Sequence, residues 1–263
     1  GLRAVAAAFW GDALLLMGNQ TRPWEAEPGS VNACIARWEE RLSKDLEANR
    51  NLTPGGILRR CREMAEDFQK IEKTEKDVQK IAVVGDIYCK YCRLGNWDLE
   101  RYLEEQNCAA GINGLTWYAL YYLDSHLDTG PAAMRYGGKV LAVLGGCLQD
   151  RFIEILREAG YTVLPPYREL KALAGNLNVT RCGLGGGWLL SAEAAAWVQL
   201  GWRKVLSGLP FGCLPGHIYG RSVYAALQRQ LPGSLIVGVD YDASIREITV
   251  QSRIRMLIDC ELE

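Results

Sequence analysis

Short apolar runs, each ended by glycine, proline or aspartate and each followed by a helical pattern, constrain this chain more than any other feature. Ile81-Ala82-Val83-Val84-Gly85-Asp86 is the first of them. A continuous apolar run of that length suits a strand buried on both faces of a parallel sheet. Residues 205–209 and 235–239 repeat the pattern, running into the Pro210–Gly216 loop and into Asp240-Tyr241-Asp242. Helical stretches lie around them at 188–200, at 219–230 with Val223, Ala226 and Leu227 inward, and at 245–258 with Ile254, Leu257 and Ile258 on one face. After the first run, Asp98 is placed to cap a helix carrying Leu99, Tyr102 and Leu103. Alternation of this kind predicts an α/β domain.

The first 80 residues have a different texture. Residues 2–17 read as a buried Ala/Leu-rich helix, ended by Thr21-Arg22-Pro23-Trp24 because proline removes a donor. Ile35, Trp38, Leu42 and Leu46 mark a second helix, and Leu58, Cys61, Met64, Ala65, Phe68 and Ile71 a third. The charged run 72–80 sets the boundary. We therefore expect a helical segment over 1–80 and an α/β domain over 81–263, with a helical insertion at about 115–175. Inside that insertion, periodicity alone leaves Val140 to Gly146 open between strand–turn–helix and one helix carrying two costly glycines. Gly1 opens directly into the helical pattern, as expected of a piece of a longer protein.

Charge balance narrows the function classes. With 30 Lys+Arg against 31 Asp+Glu, the chain lacks the basic excess of a nucleic-acid domain. No run reaches the ~18 uncharged apolar residues of a membrane span. Nine cysteines in an intracellular chain of this size fit reduced core thiols plus a metal site better than a disulfide scaffold.

In parallel α/β sheets ligands bind beyond the carboxyl ends of the strands. Cys213, in a tight Gly/Pro loop before a helix, occupies a place that favours thiolate, although a buried loop cysteine is the plainer alternative. Cys89 and Cys92 form a CxxC pair that reads as metal-binding, as redox-active or as accidental. A four-ligand zinc site would need Cys89, Cys92, Cys213 and His217, or Cys182 in place of one of them. Cys34, Cys61 and Cys108 sit in helical patterns and are expected in the core, as are Cys147 and Cys260. His126 reads as a surface residue and His217 as one that orients its loop. Gly183 to Gly187 reads as a tight turn before a helix. Asp86, Asp240 and Asp242 read equally as caps and turn formers or as ligands to a cation or ribose.

Four segments together carry a resemblance: Gly187-Trp188-Leu189-Leu190, Pro210-Phe211-Gly212-Cys213-Leu214-Pro215-Gly216-His217-Ile218, Gly220-Arg221 and Asp240-Tyr241-Asp242. Upstream, Thr21-Arg22-Pro23-Trp24-Glu25 and Val84-Gly85-Asp86-Ile87-Tyr88 add to it. The chain resembles the 2-hydroxyacyl-CoA dehydratase family, nearest its activase-related branch, over the C-terminal half to two thirds of a member. The resemblance implies flavodoxin/Rossmann-like parallel-sheet lobes and a helical middle. It also implies the cytoplasm as the compartment and an iron–sulfur cluster, [4Fe-4S] or double-cubane, with Cys213 as a ligand; Cys89, Cys92 and Cys182 are candidate co-ligands from this chain's own cysteines and not from the family's pattern. Electrons would come from an ATP-dependent activase. An acyl-CoA, and a missing N-terminal lobe or partner subunit, complete the implied partners. A docking lobe without catalysis and a double-cubane-type reductase component are the alternatives. Cys89 stands where relatives carry an aliphatic or aromatic residue, so the CxxC pair is not a family motif.

Overall fold

The computed structural model describes residues 1–125, 131–176, 180 and 184–262. Its centre is a four-stranded, all-parallel sheet in the order β2-β1-β3-β4. The strands are β1 (Gln79–Gly85), β2 (Cys108–Ile112), β3 (Lys204–Pro210) and β4 (Leu235–Tyr241). The three apolar runs form β1, β3 and β4, and this is a flavodoxin-like α/β lobe, as the sequence predicts.

Side chains alternate across the sheet, as a strand's period of two requires. Ala82, Val84, Ala109, Val205 and Ile236 enter one core. Ile81, Val83, Ala110, Leu206 and Val239 enter a second on the opposite face. Three N-terminal helices, α1 (Leu2–Thr21), α2 (Ser30–Glu47) and α3 (Pro54–Gln69), share the first core with the sheet. The same core takes in α6 (Leu115–Ser125), the second half of α7 (Ala132–Glu158), α8 (Tyr167–Gly175) and α9 (Leu189–Gln199). The second face is covered by α5 (Leu99–Glu105) and α11 (Glu247–Asp259). Two shorter elements matter for the site: α4 (Ile87–Tyr91), directly after β1, and a π-helical turn, Gly216–Arg221, that leads into α10 (Ser222–Gln230). Single π turns of this sort recur at functional sites.

Several expectations change. Cys108 is buried, but on β2, not on a helix. Cys147 is exposed and Cys260 half-buried, so neither is a core residue. Val140 to Gly146 lie within the continuous helix α7. Asp98 takes the N-cap position of α5 without bonding it; Asn96 accepts from the Leu99 N–H instead, at 3.2 Å. His126, Cys182 and Gly183 lie outside the described residues. Among the described residues, no helix is long and apolar enough to cross a membrane.

One buried charge ties the helices to the sheet side. Asp12 of α1 is 3% exposed. It accepts the Leu115 N–H at 2.7 Å, the Thr116 N–H at 2.8 Å and the Thr116 hydroxyl at 2.6 Å, capping α6 from another helix. Burial pushes its pKa up from 3.8 to about 6 despite these bonds. The folded state therefore holds a proton that the unfolded chain releases, and this contribution is complete below pH 3.8 and lost as pH rises through 6. The lost stability is about 3 kcal/mol, two pKa units at ~1.4 kcal/mol each. Unfolding titrations of wild type and Asp12→Asn should differ in pH slope across that window. Parallel curves would show that Asp12 titrates normally.

Candidate functional site at the carboxyl edge of the sheet

Strand order places the switch point between β1 and β3. The chain leaves β1 toward β2 on one side, and β3 lies on the other. Clefts at such points are where open α/β sheets bind ligands. The loops after β1, β3 and β4 all open on this edge, because the strands are parallel neighbours.

Glycine lets the first two strand ends meet. Gly85 has φ +134°, and a Cβ there would lie 2.0 Å from the Gly208 carbonyl oxygen. The same oxygen accepts the Asp86 N–H at 2.9 Å. Asp86 then caps α4, its Oδ1 accepting the Tyr88 N–H at 2.9 Å. Capping is thus the observed role of Asp86, and Asp242 likewise forms a turn by accepting from Ser244.

The single turn of α4 sends its side chains to different places. Cys89 is buried in the second core near Gly208 and Tyr241. Burial, and then the charges of Asp86, Cys213, Asp240 and Cys92, push its thiol up to about 12. Cys92 sits half-exposed at the end of the turn. The Gly95 N–H, the Tyr88 hydroxyl and the Leu94 N–H hold its thiol below the usual range. Alkylation by iodoacetamide at neutral pH should therefore modify Cys92 well before Cys89 or the buried Cys61, read by peptide mass mapping. Equal rates at Cys89 and Cys92 would overturn this difference in environment.

Lys90 turns the other way, into the molecule. Its Nζ lies 3.2 and 3.0 Å from the two carboxylate oxygens of Glu193, and both side chains are at least 96% buried. Asn113, fully buried, donates to the same carboxylate at 3.0 Å, and its carbonyl accepts the Tyr91 hydroxyl at 2.5 Å. The ion pair thus joins α4, α9 and the end of β2 beneath the site. Lys90, Glu193, Gly85, Asp86, Tyr118 and Gly185 line a cleft of about 70 Å³, room for ordered waters rather than a cofactor. Sequence reasoning missed this pair. A signal was present: Glu193 is the only charged residue in α9, whose sequence is LLSAEAAAWVQ.

The third strand end carries Cys213. Gly212, at φ +74°, allows the turn closed by the Cys213 N–H on the Pro210 carbonyl at 3.0 Å. Phe211 N–H bonds Tyr241 at 2.9 Å and anchors the loop to β4. Gly216 lies over the sulfur, its missing Cβ only 3.2 Å from Sγ. His217 Nδ1 is 2.8 Å from the Cys213 carbonyl oxygen, so this histidine orients the loop as expected. On its other side Nε2 faces Asp240 at 3.7 Å. Arg221 donates to Asp240 at 2.6 Å and to the Gly238 carbonyl at 3.1 Å, fastening the π turn to β4. Cys213 itself is half-buried. Around it Phe211, Leu214 and Ile218 of the same loop, with Tyr88 across the switch point, are exposed.

No protein family matches this chain, and no curated protein or solved structure is significantly similar to it. The site must therefore be judged on its donors. Cys89 and Cys213 are electrostatic neighbours, but among the described residues no three His, Cys, Asp or Glu side chains are grouped to hold a metal ion. A four-thiolate cubane, or a zinc site from Cys89, Cys92, Cys213 and His217, does not fit within these residues alone. What the described chain offers at this edge is two half-exposed thiols, Cys92 at the end of α4 and Cys213 on a loop with an apolar rim.

Proposed function

We propose that this chain is one lobe of a cytoplasmic iron–sulfur redox protein of the 2-hydroxyacyl-CoA dehydratase type. In it Cys213 is one ligand of a cluster whose other ligands come from Cys182, a second lobe or a partner subunit. The observation that carries this reading is the setting of Cys213, a half-buried thiol at the switch-point edge, ringed by exposed apolar side chains that a facing body would cover. The likeness of the Pro210–Ile218 loop to the family's cysteine loop adds to it. So does the closure of the neighbouring cleft, too small to be a substrate pocket on its own.

A bound cluster supplies one-electron chemistry, with an ATP-dependent activase as the electron source and an acyl-CoA as the substrate class. This chain's residues hold and orient the thiol. His217, Arg221 and Asp240 fix the loop, the Lys90–Glu193 pair stiffens the floor, and Phe211, Leu214 and Ile218 exclude water once covered.

The test is iron and acid-labile sulfide content with a visible spectrum, after strictly anaerobic purification of the protein together with any further lobe or subunit that accompanies it, and reconstitution with ferrous iron and sulfide. Wild type should be brown, with about four irons per cluster. Cys213→Ala should lose most of the iron and colour while its circular dichroism is unchanged. A colourless wild type that is fully folded would overturn the cluster reading, leaving a docking lobe.

A further inference from the structure

A groove of about 500 Å³ runs between α7 and α8, with the end of α6 at one side. That size falls within the ~300–1,000 Å³ of small-molecule sites, whereas the cleft beside Lys90 holds about 70 Å³. The sequence explains the space. Along α7, Ala142, Gly146 and Gln149 recur at spacings of four and three, so two small residues and one polar residue share a stripe. Gly146 has no atom within 4 Å of a Cβ built on it, which leaves the middle of the groove open. Val143 of α7, with Pro166 and Tyr167 at the start of α8, completes the apolar walls. None of the described lining residues belongs to the strand-end loops, so the groove is a place apart from Cys213.

The floor of the groove is polar. Gln149 is fully buried. Its Oε1 accepts the Tyr167 N–H at 2.8 Å, and this fixes which end of the amide is which, because the reverse would set donor against donor. The amide nitrogen Nε2 is then a buried donor with no acceptor among the described residues. Asp150, next along the helix, has one oxygen on Arg168, while the other, Oδ1, is buried and has no partner among the described residues. Buried polar atoms are normally hydrogen-bonded, so a donor and an acceptor left over on one groove point to a ligand that answers both.

The rim says what that ligand is not. Asp124 accepts from the Lys171 ammonium and from the Tyr167 hydroxyl, Arg168 is held by Asp150, and Lys139 is likewise engaged. An ionic ligand would have to break one of these pairs to enter. What the floor lacks is one acceptor, for Gln149, and one donor, for Asp150 Oδ1. A secondary carboxamide supplies both, from its C=O and its N–H.

We propose that the groove between α7 and α8 binds an uncharged secondary carboxamide with an apolar body, its carbonyl accepting from Gln149 Nε2 and its N–H donating to Asp150 Oδ1.

Calorimetric titration with N-propylbenzamide, and with valerophenone, the ketone of the same shape, tests this. The ketone is the more apolar of the two, so a merely greasy groove would prefer it. The expected order is the reverse, with the amide about tenfold tighter, because only the amide meets Asp150. Gln149→Leu should weaken the amide by about tenfold. Gly146→Leu, which has room for its side chain and keeps both polar groups, should abolish binding with unchanged circular dichroism. Bound amide should also shield Cys147, exposed at the mouth of the groove, from iodoacetamide while Cys92 stays reactive, read by peptide mass mapping. Ketone binding as tight as amide binding overturns the carboxamide assignment. No saturable binding at millimolar probe, or amide binding that Gly146→Leu leaves unchanged, overturns the site itself, whose polar atoms then hold ordered water alone.

Discussion

Glu193→Ala is expected to cost about 3–5 kcal/mol of folding stability, the range for removing one partner of a buried ion pair. The substitution strands the Lys90 ammonium, 4% exposed, with no other carboxylate within salt-bridge distance among the described residues. It also removes the acceptor of the Asn113 amide. The loss is therefore the desolvation of an unpaired cation plus an unpaired amide, and not the modest net value of a hydrogen bond. Replacing both partners with apolar residues of similar size, Lys90→Met with Glu193→Leu, should recover most of it, because the pair's mutual attraction largely offsets its own desolvation. Denaturant unfolding of the two single variants and the double variant closes the cycle. A Glu193→Ala loss under about 1 kcal/mol would mean that water reaches the pair, and the floor of the site would then not be dry.

Gly85→Ala should be more severe: little soluble folded protein, with a loss above about 4 kcal/mol where it can be measured. Two effects combine. Alanine rarely adopts φ +134°, and its methyl group would overlap the Gly208 carbonyl oxygen at 2.0 Å. The strands cannot part to relieve this, because Gly85 pairs with Gly208 in register and the next residue bonds the same oxygen. Gly146→Ala is the control. That glycine is inside α7 with nothing within 4 Å, so alanine should stabilise by about 0.5–1 kcal/mol. If Gly85→Ala melts within a few degrees of wild type, the close approach of β1 and β3 is wrong.

Both predictions concern the floor and rim of one site. The close meeting of β1 and β3 sets Asp86 and α4 beside the Cys213 loop, and the Lys90–Glu193 pair holds α4 against α9. Variants that loosen either contact should also disturb any ligand held by Cys213, even though neither residue touches the thiol loop's backbone bonds.

Much of this site was legible one segment at a time. The Pro210–Gly216 loop declared itself through its turn residues, and Gly85-Asp86 through the end of an apolar run. The pairing of Lys90 with Glu193 did not, because the two are 103 residues apart. Lys90 beside two cysteines looks like a surface cation that favours thiolate. Only the position of α9 against α4 turns it inward. The CxxC pair separated for a similar reason: one turn of helix sends Cys89 into a core and leaves Cys92 at the surface.

The sequence by itself determined that this is an α/β protein with parallel strands at β1, β3 and β4, because apolar runs between helical periods have few other ways to be buried. It also determined the tight cysteine loop, since glycine and proline act through local φ and ψ. Tertiary structure alone decided β2, whose Cys-Ala-Ala-Gly-Ile sequence has weak strand preference and becomes a strand by pairing with β1. It decided the buried ion pair, the capping of α6 by Asp12 and the groove between α7 and α8. Each of these depends on which element lies opposite, and hydrophobic period and local dihedral preference carry no information about a partner a hundred residues away.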